Sequence, residues 1–160
     1  MTNSVLITLD GSPLAEQALD FVPRLLKPDT KIRLLTVLGE DRAVELASLA
    51  STIGHVGYFS SELPQVHLEV DPQEAISARN YLLGMAERLE MKGYQVTVEV
   101  LEGRSVVEAI VETANTGGYD AVFMVTHGRT GLSKLALGSV TEGVLKKAKC
   151  PVIVVPGHAS

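Results

Sequence analysis

The 160-residue chain has one cysteine, Cys150. That excludes a disulfide framework within one chain and a Cys-rich zinc site. Basic residues are also few, with 14 Lys and Arg against 19 Asp and Glu for a formal net charge of −5, and they form no block. A nucleic-acid binder would carry a Lys/Arg stripe, so that partner class is excluded. No apolar run approaches the roughly 20 residues that span a bilayer, and Met1-Thr-Asn-Ser lacks the charged start of a signal peptide. The expectation is a soluble, cytoplasmic protein. Two phosphate signatures are missing as well. Without G-x-x-x-x-G-K-[ST] the chain is not a P-loop NTPase, and without G-x-G-x-x-G after the first strand it lacks the dinucleotide fingerprint. The histidines at 55, 67, 127 and 158 show neither metal-ligand spacing nor H-E-x-x-H.

What is present is the length of one ordinary domain, since domains cluster near roughly 100–150 residues, and a hydrophobic share of 46% spread along the chain. Val5-Leu-Ile-Thr-Leu9 reads as a strand that stops at Asp10-Gly11. Ser12 before Pro13 reads as an N-cap with proline at the first helical position. Leu14, Ala15, Ala18, Leu19, Val22, Leu25 and Leu26 then recur at helical spacing, and Pro23 should kink or shorten that helix. Lys31–Val37 is a second strand. Residues 39–72 read as an insertion before the crossover helix, with a short helix around 43–53. Helices follow at 73–92, 106–114 and 139–147, alternating with strands at 95–101, 120–125 and 151–156. Five strands alternating with helices predict a Rossmann-like, doubly wound α/β domain over 1–160, a parallel sheet with helices on both faces. Such sheets bind ligands at the carboxyl ends of their strands, where the strand order reverses.

Two strand ends carry chemistry. Asp10, in Thr8-Leu9-Asp10-Gly11-Ser12, could hold a metal on a phosphate chain or accept a ribose hydroxyl. It could equally form an Asx turn leading into the helix cap. After the fourth strand, Thr126-His-Gly-Arg-Thr-Gly-Leu-Ser-Lys-Leu-Ala-Leu-Gly-Ser-Val-Thr-Glu142 contains Gly128, Gly131 and Gly138. Gly138-Ser139 opens a helix, and Ser139-x-x-Glu142 matches a capping box. A helix N-terminus with hydroxyls at Ser139 and Thr141, and with Arg129 and Lys134 nearby, makes a ready anion site. His127 could touch a ligand or fix the glycine loop by hydrogen bonding. Paired with Asp10, it is the only candidate for a catalytic dyad. Cys150, before Pro151, reads as a small buried hydrophobe.

These residues together resemble the universal stress protein family. The resemblance covers Val5 through Leu19 and Asp120 through Pro156. The family's nucleotide-binding branch carries G-x2-G-x9-G-[ST] after strand four. Gly128, nine residues, and Gly138-Ser139 match the second and third elements, while Val125 stands where the first glycine would fall. The resemblance implies a dimer that binds ATP or AMP, acting as a stress-response sensor or accessory. Asp10, reached through Thr8 and Leu9, would approach the ribose or a phosphate-bound Mg, and Val37 would face the adenine. Met124, Val125 and Gly128, flanked by His127 and Arg129, would line the phosphate side, with Gly138, Ser139, Val140 and Thr141 holding the phosphates. The last strand, 151–156, would pair with its mate across a two-fold axis. Glycine at position 125 would supply either positive φ or room for a ligand. Val125 should have β dihedrals and leave its backbone donor in place. Two alternatives stay open: a slow ATPase using Asp10 or His127, and a nucleotide-free interaction protein using residues 43–59 and the last strand.

Overall fold

A computed structural model of the chain describes residues 4–39, 71–102, 105–126 and 137–156. Strands and helices alternate: β1 (Ser4–Thr8), α1 (Pro13–Leu25), β2 (Lys31–Leu38), α2 (Pro72–Glu90), β3 (Gln95–Glu102), α3 (Val106–Thr116), β4 (Ala121–Thr126), α4 (Ser139–Lys147) and β5 (Val152–Pro156). The five strands form one sheet in the order β3-β2-β1-β4-β5, and every neighbouring pair is parallel. The chain therefore winds outward from β1 to β3 and then returns to the other side of β1 for β4 and β5. The order reverses between β1 and β4, and the crevice beyond their carboxyl ends is the switch point.

Why these segments are strands is visible in their burial. Val5, Leu6 and Ile7 of β1 are fully enclosed, and residues 121–125 of β4 are all buried. A central parallel strand is covered on both faces, so it reads as a continuous apolar run. Successive side chains alternate between faces. Val5, Ile7, Ile32, Leu34, Phe123 and Val125 pack with α1 and α2, whereas Leu6, Leu35, Val122 and Met124 pack with α3 and α4. The α/β architecture predicted from alternation is the one observed.

Local chemistry sets the helix ends. Ser12 caps α1 with Pro13 at the first position, as predicted, its side chain accepting from Ala15 N–H. The helix runs two residues past Pro23, and the N–H of extended Leu26 closes on Val22 at 2.8 Å. The same device begins α2, where Asp71 accepts from Gln73 N–H and Pro72 follows it. Gly93, with φ of +89°, turns the chain after α2. Most boundaries shift by one or two residues: β1 spans Ser4–Thr8, and α3 extends to Thr116. The insertion expected at 39–72 falls between β2 and α2. Its residues 40–70, with the short helix expected there, lie outside the described residues.

Candidate functional site

At the carboxyl end of β1 the chain must turn sharply into α1, and Gly11 does so with φ of +79°, where a side chain would be strained. The exposed Asp10 carboxylate accepts through Oδ1 from Ser12 N–H at 3.0 Å and from Ser12 Oγ at 2.7 Å. Ser12 Oγ in turn accepts from Ala15 N–H at 3.0 Å. The turn-forming role open to Asp10 is thus realised, and it holds the carboxylate at the switch point. Thr8 Oγ1 reaches the Phe123 carbonyl at 3.4 Å, linking β1 to β4. Leu9 is buried. Its N–H donates to the Leu35 carbonyl at 2.9 Å, and its own carbonyl accepts from Thr36 Oγ1 at 2.8 Å. Val37 is half-buried against the core under α3 and α4.

Across the switch point, Met124 and Val125 end β4 with their side chains in the core, on opposite faces of the sheet. Both side chains therefore belong to the core. Val125 pairs with Val155 in the ladder, and Asp29 is the one described non-glycine residue with positive φ. Position 125 therefore does not demand glycine for its backbone. His127, Gly128 and Arg129, with Gly131 and Lys134, lie outside the described residues.

α4 starts at Ser139, with Gly138 as N-cap at φ −58° and ψ 154° and no side-chain capping bond. The expected capping box does not form. It requires Ser139 at the cap, but Ser139 is the first helical residue, and Glu142 bonds Lys146 at 2.6 Å instead. Lys146 holds the exposed Glu142 carboxyl below its usual range, by hydrogen bond and by charge. Thr141, expected to offer its hydroxyl, is buried, while Ser139 is exposed. What α4 presents first is backbone N–H from Ser139 onward, with the positive end of the helix dipole.

Three residues not singled out in the sequence also belong to this end of the sheet. Arg88 of α2 reaches Glu16 of α1 at 3.3 Å. Beside them stands Tyr81, whose hydroxyl is shielded from solvent and, among the described residues, makes no hydrogen bond of ordinary geometry. Burial and the Glu16 and Asp10 carboxylates push its pKa well above the ordinary tyrosine value, and Arg88 opposes them. No local pattern could have marked Tyr81, because its neighbours come from β1 and α1. Among the described residues no cluster of three or more His, Cys, Asp or Glu could hold a metal, and no helix is long and apolar enough to cross a membrane. A shallow cavity of about 260 Å³ lies at the opposite, amino end of the sheet, beside Lys31, Arg33, Gln95 and Tyr119. It contains none of the residues singled out above, and Arg33 there is engaged with Glu99 at 2.9 Å.

Comparison with known proteins bears on this arrangement. A family model described as the universal stress protein family matches residues 1–156. Universal stress protein MJ0577 of Methanocaldococcus jannaschii is 31% identical over 157 residues, covering 97% of this chain and 95% of its own length. A solved structure of MJ0577 superposes with a TM-score of 0.73 at 29% identity, covering 100% of this chain and 99% of the other. Two more distant structures share the fold. One is a universal stress protein in complex with cAMP, with TM-score 0.57, 17% identity and 97% of each chain covered. The other is an Arabidopsis thaliana family member with AMP bound, with TM-score 0.59, 14% identity, and 98% of this chain and 93% of the other covered.

Proposed function

The chain belongs to the universal stress protein family, and from that membership we propose that it binds an adenine nucleotide, ATP or AMP, at the β1/β4 switch point. The observation that carries this reading is the pairing of Asp10, fixed at the end of β1, with the N-terminus of α4, which no described side chain caps. An anion at α4 would take backbone N–H groups from Ser139, Val140 and Thr141, with the Ser139 hydroxyl beside them. Asp10 would meet the ribose, or an Mg ion carried on the phosphates, and Val37 would border the base. Thr8 and Leu9 hold Asp10 in place. Met124 and Val125 would supply a wall near the end of β4, and His127, Gly128 and Arg129, which follow them in the sequence, would contribute to the phosphate side. Gly138 keeps the approach to α4 open, since a Cβ there would meet no described atom within 4 Å. That fold relatives are complexes with AMP and cAMP supports an adenine ligand.

In this reading the protein is a cytoplasmic stress-response sensor or accessory that works as a homodimer. β5 is an edge of the sheet, and its half-buried Val152, Ile153 and Val154 offer an apolar strand for a second copy to cover. Protein purified without added nucleotide and then heat-denatured is expected to release an adenine nucleotide. Calorimetric titration with ATP or AMP, with and without magnesium, is expected to give saturable heat. Neither heat nor a thermal shift at millimolar nucleotide would overturn the reading.

A further inference from the structure

We propose that the outer face of α2 is an interface for a second copy of this chain, the two α2 helices lying antiparallel across a two-fold axis between Leu83 and Gly84. The inner side of α2 is accounted for, since Leu82, Ala86 and Leu89 are buried in the core. The opposite side of a surface helix is ordinarily polar. Here it carries Ile76 at 52% exposure, Leu83 at 47% and, just past the helix end, Met91 at 75%. Steps of seven and eight residues keep the three on one side of a helix with 3.6 residues per turn. One exposed apolar side chain is ordinary, but a row of them marks a contact surface.

Gly84 is the second observation. It lies exposed in the middle of α2, and a Cβ there would meet no described atom within 4 Å. Glycine in a helix interior is destabilising relative to alanine, and nothing described within the chain requires it here. Gly143 of α4 is the contrast, because a Cβ there would run into Val107 at 2.8 Å. Packing inside the protein explains Gly143. A helix from outside it explains Gly84, since the side chains at a helix contact set how closely the two axes approach.

Charge selects a second copy as the occupant. Arg79, Glu87 and Glu90 are exposed, and none of the three has an ion-pair partner among the described residues. Along α2, Arg79 lies about 12 Å from Glu87 and about 17 Å from Glu90 at the helical rise per residue, too far to pair within the helix. Rotation about an axis between Leu83 and Gly84 brings Arg79 between the partner's Glu87 and the partner's Glu90. It also sets Ile76 level with the partner's Met91, and Leu83 against the partner's Leu83 beside the two glycines. Each contact is made twice, as an isologous interface requires, whereas a parallel pair would set Arg79 against its own copy. α2 packs over β2 and β3, on the other side of the sheet from β5, so this contact and one at β5 can form together. A single helix pair is smaller than a standard interface of roughly 1,600 Å², and the association is therefore reversible.

The test is sedimentation velocity of the full chain from micromolar to near-millimolar concentration, with circular dichroism and thermal midpoints to confirm folding. The expected result is a mass that doubles reversibly as concentration rises. Leu83→Glu and Arg79→Glu should each weaken that step by more than about tenfold, and Arg79→Glu combined with Glu87→Arg and Glu90→Arg should restore it. Gly84→Ala should raise the midpoint at low concentration while weakening association. A dimer formed through β5 persists in Leu83→Glu, so the two contacts are read separately. Equal masses for the parent and Leu83→Glu at every concentration overturn the proposal. Association that Arg79→Glu weakens and the triple charge reversal fails to restore overturns it too. A midpoint that falls in Leu83→Glu with no change of mass gives the face to the same chain and overturns the pairing as well. Each of these failures leaves the nucleotide reading intact.

Discussion

α1 and α4 both begin at the carboxyl end of the sheet, on either side of the switch point, yet their first turns are completed by different means. At α1 the side chains do it: Ser12 accepts from Ala15 N–H, Asp10 accepts from Ser12, and Pro13 has no N–H to satisfy. At α4 the N-cap is Gly138, no side chain among the described residues closes the turn, and Glu142 is drawn away to Lys146. Side-chain caps and bound anions compete for the same backbone donors. A helix that caps itself keeps its stability and gives up the anion, and one capped by glycine does the reverse. In the proposed reading the phosphate therefore goes to α4, and α1 holds Asp10.

The comparison can be broken most strongly at Gly138. Gly138→Asp places a carboxylate where α4 lacks a cap, and the expected outcome is a loss of ATP affinity of more than about tenfold, roughly 1.4 kcal/mol. Thermal or urea unfolding of the same variant should show a gain of about a few tenths of a kcal/mol. Stability and binding moving in opposite directions is the signature, and parallel movement would contradict the contrast between the two helices.

Gly143 tests how α4 is seated. A Cβ there would lie 2.8 Å from Cγ2 and 2.9 Å from Cγ1 of Val107 on α3, and a β-branched side chain has little freedom to move aside. Overpacking costs about 1–3 kcal/mol and alanine's better helix propensity returns about 1. Gly143→Ala should therefore destabilise by about 1 kcal/mol in urea unfolding. A gain would mean that the two helices are free to separate.

The complementary change at α1 is Ser12→Ala. Loss of the cap should cost about 1 kcal/mol of stability, with a much smaller effect on ATP affinity than Gly138→Asp produces. The smallest effect is expected from Lys146→Ala. Lys146 lowers the pKa of Glu142, so the stability this pair supplies is present above the usual carboxylate range and fades as pH falls through the lowered value. Urea midpoints at neutral and acidic pH should show the variant with slightly less acid sensitivity than the parent. The difference should shrink in high salt, as for any exposed pair.

How far the sequence could be read depended on whether the cause was local. Val5–Leu9 was legible as a strand, and Asp120–Val125 as one buried on both faces, because such burial leaves a nearly continuous apolar run. Ser12-Pro13 announced the start of α1 because cap and proline act within four residues. The same kind of reading failed at Ser139-x-x-Glu142. That pattern caps a helix only in one phase, and the helix began so that Gly138 held the cap position. Thr141 was legible as a hydroxyl near a helix start, but its burial depended on which side of α4 met the sheet. Tyr81 carried no signal at all, because nothing near it in the chain shows that Glu16 would face it.

By itself the sequence determined the kinds and order of the elements, the parallel α/β class and the turn at Asp10-Gly11-Ser12. Each of these follows from hydrogen bonds and periodicities spanning a few consecutive residues. Only the tertiary structure decided the strand order β3-β2-β1-β4-β5 and the approach of Arg88 to Glu16, 72 residues apart in the chain. It alone enclosed the Tyr81 hydroxyl beside the Glu16 carboxylate. Those juxtapositions depend on how two helical layers settle on a twisted sheet. The packing energy that selects one arrangement arises only when all the layers are in contact.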